Sequence, residues 1–115
     1  MSYYCLFPSA PSVPPVFHLQ NLQSGNAILV VLKPIPKEHQ HGVINGYIVY
    51  YKERYHYEET KLNISSSLTQ VILFGLHPFK EYEIAVEAFT SKVGPRSEWQ
   101  TIVVGKWQYC LLMNQ

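Results

Sequence analysis

Histidine is the residue type in this sequence with the widest chemical range near neutral pH. The five histidines are His18, His39, His41, His56 and His77. An imidazole can act as a general base or bind a metal, but either role needs suitable neighbours. His39 and His41 share a polar segment without a third ligand, so we expect both rings to be solvated. The sequence also lacks Gly-x-Ser-x-Gly, His-Glu-x-x-His and Cys-x-x-Cys patterns. We therefore expect no enzyme activity, no cofactor and no metal site.

Asn63 offers a different kind of chemistry, the covalent attachment of a glycan. Asn63-Ile64-Ser65 is an N-glycosylation sequon in a polar stretch between two predicted strands, where a glycan would project into solvent. Three-residue sequons also arise by chance, and a sequon is used only in a protein that is secreted. The sequon therefore points to an extracellular option that depends on the compartment.

Aromatic and cationic side chains cluster near the middle of the chain. The cluster comprises Tyr50, Lys52, Arg54, Tyr55, His56 and Tyr57. Tyrosine and arginine are enriched where proteins bind one another, so all but His56 form a candidate interaction face. Outward aromatic side chains also stabilise a sheet by cross-strand pairing, and we favour that second interpretation.

Length and composition indicate one globular domain. The 115 residues are 47% hydrophobic and 15% charged, which provides enough apolar material for a single core. Nine basic and eight acidic residues leave a net charge of +1 without a basic cluster, so we exclude a nucleic-acid partner. The longest apolar run, Ala27 to Leu32, is too short for membrane insertion, which needs roughly 20 residues. Met1 to Ala10 makes a poor signal peptide because no basic residues precede an apolar segment.

Alternating apolar residues predict an all-β chain. Nine tyrosines, five phenylalanines and eight prolines favour strands separated by turns. The period-2 alternation predicts a strand around Phe17 and Leu19, further strands at 27–32, from 44, and at 71–74, 82–89 and 100–104, and a short edge strand around Tyr55 to Thr60. Pro34 and Pro36 end the second strand, because proline lacks the amide hydrogen that a sheet ladder needs.

The most informative segment is Leu76-His77-Pro78-Phe79-Lys80-Glu81-Tyr82, which is followed by apolar residues in alternation. This pattern predicts a tyrosine corner, in which a Tyr near the start of a strand bonds through its hydroxyl to the backbone a few residues upstream. We expect the Tyr82 hydroxyl to bond to a backbone group near Gly75 or Leu76.

Five segments together resemble a fibronectin type III domain. They are Pro14-Pro15, Ile28-x-Val30-x-Leu32, Gly46-Tyr47-x-Val49-x-Tyr51, the corner with Ile84, Val86 and Ala88, and Gly94-Pro95-x-Ser97. The resemblance covers residues 14–105, which leaves 1–13 as a flexible flank or linker and 106–115 as a C-terminal tail. The family usually has a tryptophan where this chain has Leu32, so neighbouring side chains must fill that volume.

The resemblance implies a seven-stranded immunoglobulin-like β-sandwich with one core between its sheets. The core residues that it implies are Phe17, Leu19, Ile28, Val30, Leu32, Tyr47, Val49, Tyr51, Val71, Leu73, Leu76, Tyr82, Ile84, Val86 and Ala88. In such a sandwich the first strand starts at one pole and the last ends at the other. Cys5 and Cys110 could then pair only if both flanks folded back until their Cα atoms came within about 7 Å, so we expect free thiols.

Fibronectin type III modules of cell-surface adhesion proteins and receptor-type tyrosine phosphatases are similar to this chain, above all over Glu38 to Glu53. The resemblance implies a non-catalytic, monomeric spacer on the extracellular face of the plasma membrane. Its partners would be other proteins or neighbouring modules of a larger parent, of which this chain would be a fragment or a truncated product.

Two alternatives stay open. Ser97-Glu98-Trp99 partly matches the W-S-x-W-S box of cytokine receptors, and a complete box with paired cysteines in the strands would make the chain a ligand-binding module of that kind. Arg96 and Gln100 stand where the box has Trp and Ser, so we interpret the segment as a turn in which Trp99 covers the base of the sheet. An intracellular structural module is favoured by free thiols and disfavoured by the sequon.

Overall fold

The polypeptide folds into two antiparallel sheets that pack face to face. The structure, a computed structural model, describes residues 10–105; the predictions for Cys5, Cys110 and the C-terminal tail lie outside the described residues. Within them, one sheet has the order β1-β2-β5, formed by Val16–Asn21, Ile28–Lys33 and Gln70–Leu73. The other sheet has the order β4-β3-β6-β7, formed by Thr60–Ser65, Gly46–Glu53, Glu81–Phe89 and Gln100–Val103. This arrangement confirms the predicted seven-stranded sandwich.

Alternation along the strands places one row of side chains between the two sheets. In β2, Ile28, Val30 and Leu32 are buried, whereas the residues between them are partly exposed. Leu32 is 5% exposed and lies in one apolar cluster with Phe17. The remaining buried members of this cluster are Ile35, Tyr47, Val49, Ile64, Leu73, Leu76, Tyr82, Ile84, Val86, Ala88 and Val104, with Leu19, Tyr51 and Val71 packed against it as partly buried residues.

The edge strand of the four-stranded sheet begins later than the sequence predicted. The predicted strand around Tyr55 to Thr60 was wrong, because β4 starts at Thr60. Tyr55 has a left-handed backbone with φ of 70°, and the His56 amide donates to the Glu53 carbonyl at 3.1 Å. The chain therefore turns directly after β3, and residues 54–59 connect the two strands.

The two ends of the sandwich carry different connections. We call the end with connections 34–45, 66–69 and 90–99 the entry pole, and the end with connections 22–27, 54–59 and 74–80 the exit pole. At the entry pole, Pro11 is buried, and a side chain on Gly94 would come within 2.9 Å of the Pro11 carbonyl oxygen. The Ser12 amide donates to the His39 carbonyl at 2.8 Å. Packing at this pole thus extends upstream of Pro14.

Polar side chains join the neighbouring edges of the two sheets. The Asn21 amide nitrogen donates to the Val103 carbonyl at 2.9 Å, and its oxygen accepts from the Gly105 amide at 2.8 Å. The Gln100 side chain donates to the Phe17 carbonyl at 3.1 Å. These bonds occupy backbone groups that an open edge would expose, and they fix the last described residues at the exit pole.

Candidate interaction surfaces

The outer face of the four-stranded sheet carries cations and aromatic rings in alternation. From the β4 edge inward, the order is Lys61, Tyr50, Arg96, Trp99 and Lys52, a set that we call the ladder. The Arg96 guanidinium lies 5.0 Å from the Tyr50 ring centre and 4.9 Å from that of Trp99. The two lysine ammonium groups lie 5.7 Å from the Tyr50 ring and 5.3 Å from the Trp99 ring. These distances are within the range of cation–π attraction.

Three carboxylates border the ladder. Glu83 lies 3.5 Å from the Lys52 ammonium, Glu59 lies 3.4 Å from the Arg96 guanidinium, and Glu87 accepts a hydrogen bond from the Tyr50 hydroxyl. These three negative charges balance the three cations of the ladder, which therefore has no excess of positive charge with which to attract an acidic ligand.

Tyr50 lies beneath its neighbours in the ladder and is only 8% exposed. The hydrogen bond to Glu87 raises the pKa of Tyr50 to about 12, and burial and the charge of Glu87 act in the same direction. All three effects favour the neutral phenol over the phenolate. Tyr50 therefore acts as a neutral hydrogen-bond donor that fixes the Glu87 side chain.

The connection between β6 and β7 brings Arg96 and Trp99 onto the ladder. The Gly94 amide donates to the Ala88 carbonyl at 2.9 Å, and the Ser97 amide donates to the Val86 carbonyl at 2.9 Å. The Ser97 hydroxyl in turn accepts from the Val86 amide at 2.9 Å. Residues 94–99 thus lie along β6, so Ser97 has a structural role and Arg96 and Trp99 cover the outer face. The alternation pattern gave no signal for this ladder, because Arg96 and Trp99 lie outside the strands.

The tyrosine corner lies at the exit pole, where the 74–80 connection enters β6. The Tyr82 hydroxyl accepts a hydrogen bond from the His77 amide at 2.9 Å, one residue beyond the predicted Leu76. Burial raises the pKa of Tyr82. The His77 ring nitrogen lies 3.1 Å from one Glu53 oxygen, and the His56 ring lies 4.0 Å from the other. The Glu53 carboxylate at the end of β3 therefore lies against the tyrosine corner, which leads into β6.

The sequence-predicted interaction face is divided between two places. Tyr50 and Lys52 belong to the ladder, whereas Arg54, Tyr55 and Tyr57 lie at the exit pole. Arg54 forms an ion pair with Glu81 at 2.9 Å and stacks over the Tyr55 ring at 5.0 Å. Tyr55 is 83% exposed and Tyr57 is fully exposed, so these two rings are available for contact.

Asn63 lies on β4 at the outer edge of the four-stranded sheet. It is exposed, pairs in register with Ile48, and precedes the exposed Ser65 of the sequon by two residues. The amide is thus accessible from solvent beside the Lys61 end of the ladder.

The histidines do not assemble a metal centre within residues 10–105. No group of three or more His, Cys, Asp or Glu side chains that could hold a metal ion is found in this range. His39 lies 3.1 Å from the Ser12 hydroxyl at the entry pole, and His18 is exposed on β1. The described range also contains no helix long and apolar enough to cross a membrane.

Comparison with known families assigns this sandwich. Residues 10–103 match the fibronectin type III domain model. The chain belongs to the fibronectin type III family. The third fibronectin III domain of human KIAA0343 protein superposes with a TM-score of 0.69 at 27% identity, covering 83% of both chains. The chicken CNTN1 FN1-FN3 structure superposes with a TM-score of 0.72 at 23% identity, covering 83% of this chain and 33% of that one, and supports the fold alone.

Several curated relatives of this fibronectin type III domain are adhesion molecules. Human Roundabout homolog 2 is 34% identical over 105 residues, which cover 84% of this chain and 7% of that protein. The mouse neural cell adhesion molecule L1-like protein is 33% identical over 97 residues, covering 76% of this chain and 8% of that protein. The chain therefore spans less than a tenth of the length of these relatives.

Proposed function

We propose that this domain is a non-catalytic, monomeric module of a cell-surface adhesion protein or receptor, and that it acts as a spacer and binds other proteins. The observation that carries this proposal is the similarity of almost the whole domain to a segment of the mouse neural cell adhesion molecule L1-like protein. The ladder supports a spacer role, because Lys52 and Arg96 are paired with carboxylates and its rings cover the sheet. The likeness of residues 38–53 to receptor-type tyrosine phosphatase modules stays a prediction.

An extracellular position follows from the same proposal and from the placement of Asn63. The side chain is exposed on an edge strand, and the sequon is the only Asn-x-Ser/Thr pattern in the sequence. A glycan there would cover the β4 edge, which is otherwise open to pairing with another strand. The domain would then bind partners through surfaces other than that edge.

Secretion of the domain behind an added signal peptide tests the extracellular proposal. Wild-type protein should carry a glycan that an endoglycosidase removes, and Asn63→Gln should abolish the mass shift. Ser65→Ala is the matched control, because it keeps Asn63 but removes the sequon. Secreted, folded protein without any glycan would favour the intracellular alternative.

A further inference from the structure

The two sheets differ in the charges that their strands carry. β1, β2 and β5 contain His18 and Lys33 but no Asp or Glu. The strands of the other sheet contain four glutamates, one on β3 and three on β6. The strands of the three-stranded sheet therefore offer cationic and neutral side chains to a partner, and no carboxylate that would repel an acidic one.

The outer face of the three-stranded sheet is apolar along its middle. Leu29 and Val31 lie on β2 with partly exposed side chains, and Ile72 of β5 is paired in register with Leu29. We call these three residues the stripe. Lys33 follows on the same side of β2, because alternate side chains of a strand point the same way. Whereas the ladder covers the other sheet, the stripe remains accessible to solvent in the described part of the chain.

β5 is an edge strand whose outer backbone groups face away from its own sheet. The Leu32 amide donates to the Thr69 carbonyl at 2.8 Å, so these two residues form a hydrogen-bonded pair. Because bonded and non-bonded pairs alternate between antiparallel strands, the amides and carbonyls of Gln70 and Ile72 point away from β2. The opposite edge of the sheet, β1, is instead joined to β7 by side-chain hydrogen bonds. The β5 edge can therefore accept a further strand.

The residues around β5 lack the features that usually protect a sheet edge. Segment 68–74 reads Leu-Thr-Gln-Val-Ile-Leu-Phe, without proline, glycine or charge, and both Leu68 and Ile72 are exposed. Charged residues, prolines and bulges are the common devices that prevent an edge from pairing. On β4, the edge of the other sheet, Lys61 and the sequon residue Asn63 occupy exposed positions. The unprotected β5 edge has the properties that strand addition requires.

We propose that the β5 edge binds an extended segment of another protein, which adds antiparallel to β5 as a further strand of the three-stranded sheet. Hydrogen bonds to the backbone of Gln70 and Ile72 would hold the segment, and its apolar side chains would extend the stripe. A carboxylate of the segment would face Lys33, which has no acidic neighbour on these strands. A second copy of this chain fits less well, because its own β1, β2 and β5 bring no carboxylate to Lys33.

A synthetic peptide with blocked ends serves as the probe. Threonine and valine alternate along it, and two glutamates at each end can reach Lys33. The labelled peptide should bind the purified domain, as measured by fluorescence anisotropy at low ionic strength. Exchanging its glutamates for lysines should weaken binding about fivefold. If the glutamate peptide did not bind, the proposal would be overturned.

Methylation of the peptide amides tests strand addition without changing the domain. In an added antiparallel strand, the residues that bond to Gln70 and Ile72 turn their side chains to the outer face, where the valines meet the stripe. Methylating the valine amides should therefore abolish binding, whereas methylating the threonine amides should change it by less than about twofold. Equal effects of the two methylations would contradict strand addition.

Two substitutions of Ile72 test the edge from the side of the domain. Ile72→Pro removes an amide hydrogen that points away from β2, so the sandwich keeps its own bonds, and it should weaken binding about tenfold. Ile72→Lys places a charge on the edge without altering the backbone, so the test does not depend on the folding of the proline variant. Thr101→Lys, at an exposed position of β7, is the matched control and should leave binding unchanged. Unchanged binding in Ile72→Lys would place the peptide elsewhere and contradict the proposal.

A reversal of charge tests the chemistry of the partner. Lys33→Glu should weaken binding of the glutamate peptide about fivefold and strengthen that of the lysine peptide, whereas Lys61→Glu on the other sheet should change neither. Self-association of the domain that excludes the peptide would assign the edge to a second copy and overturn the choice of partner. The inference deepens the protein-binding role proposed above and rests on it. Its test uses the isolated domain, so a failure here leaves the adhesion-module proposal intact, and a missing glycan at Asn63 leaves this inference intact.

Discussion

The ladder and the exit pole use the same residue types with opposite results. In the ladder, Arg96 lies between two rings and its charge is paired with Glu59, while Tyr50 is almost completely buried. At the exit pole, Arg54 also stacks on a tyrosine and pairs with a glutamate, yet Tyr55 stays exposed. The difference is the number of partners on each ring, because two cations stack on Tyr50 and one stacks on Tyr55 in the described residues.

This comparison explains why composition alone is a poor guide to a binding surface. A run of tyrosine and arginine resembles an interface in its composition. This holds whether its rings and charges already have partners within the fold or are exposed to solvent. Pairing decides between the two cases, and pairing depends on residues far away in the sequence. Arg96 reaches Tyr50 because Ser97 is bonded to β6, whereas Tyr55 lies on a turn that projects beyond the sheet.

The largest effect is expected from the tyrosine corner at the exit pole. Tyr82→Phe should lower the free energy of unfolding by about 1 to 3 kcal/mol, because the His77 amide loses its acceptor. Urea denaturation would measure the change. Tyr57→Phe is the matched control, since it removes a hydroxyl from a fully exposed ring and should have no measurable effect. Equal values for the two variants would mean that the corner does not fix the pole.

A smaller effect should separate the two arginines. Arg96→Ala should cost about 1 to 2 kcal/mol of unfolding free energy, because two ring contacts and an ion pair are lost. Arg54→Ala should cost clearly less, since Arg54 stacks on a single ring that is itself 83% exposed. Arg96→Lys should fall between wild type and Arg96→Ala, because it keeps the charge without the planar group. A larger loss at Arg54 than at Arg96 would reverse the comparison.

Sequence reasoning was most successful where the pattern is local. Alternation in Ile28, Val30 and Leu32 indicated both the strand and its buried face, since side chains in a strand point to opposite sides in turn. The start of β4 was misplaced because Tyr55 gives no sign in the sequence of its left-handed backbone. A glycine or asparagine at that position would have marked the turn.

The surfaces were less accessible to sequence reasoning than the fold. The candidate face was assembled from neighbours between Tyr50 and Tyr57, but the turn at Tyr55 separates its two halves. The ladder depends on Arg96 and Trp99, which follow β6 and have no strand periodicity of their own. Their contacts with Tyr50 and Lys52 join positions more than 40 residues apart, and a single sequence contains no record of such pairings.

The smallest effect is expected from raising the pH from 8 to 10, which begins to weaken the ladder without any substitution. Because the folded-state pKa of Tyr50 is raised from 10.0 to about 12, its contribution to stability is complete below pH 10 and is lost as the pH rises through 12. At pH 10, ionisation of Tyr50 should lower the free energy of unfolding by about 0.4 kcal/mol relative to pH 8. Tyr50→Phe should lack this component, while the other tyrosines contribute equally to both proteins. Glu87→Gln removes the main cause of the shift and should bring the titration closer to that of an ordinary tyrosine. If wild type and Tyr50→Phe lost stability in parallel from pH 8 to 10, the ladder would not hold Tyr50 in its neutral form.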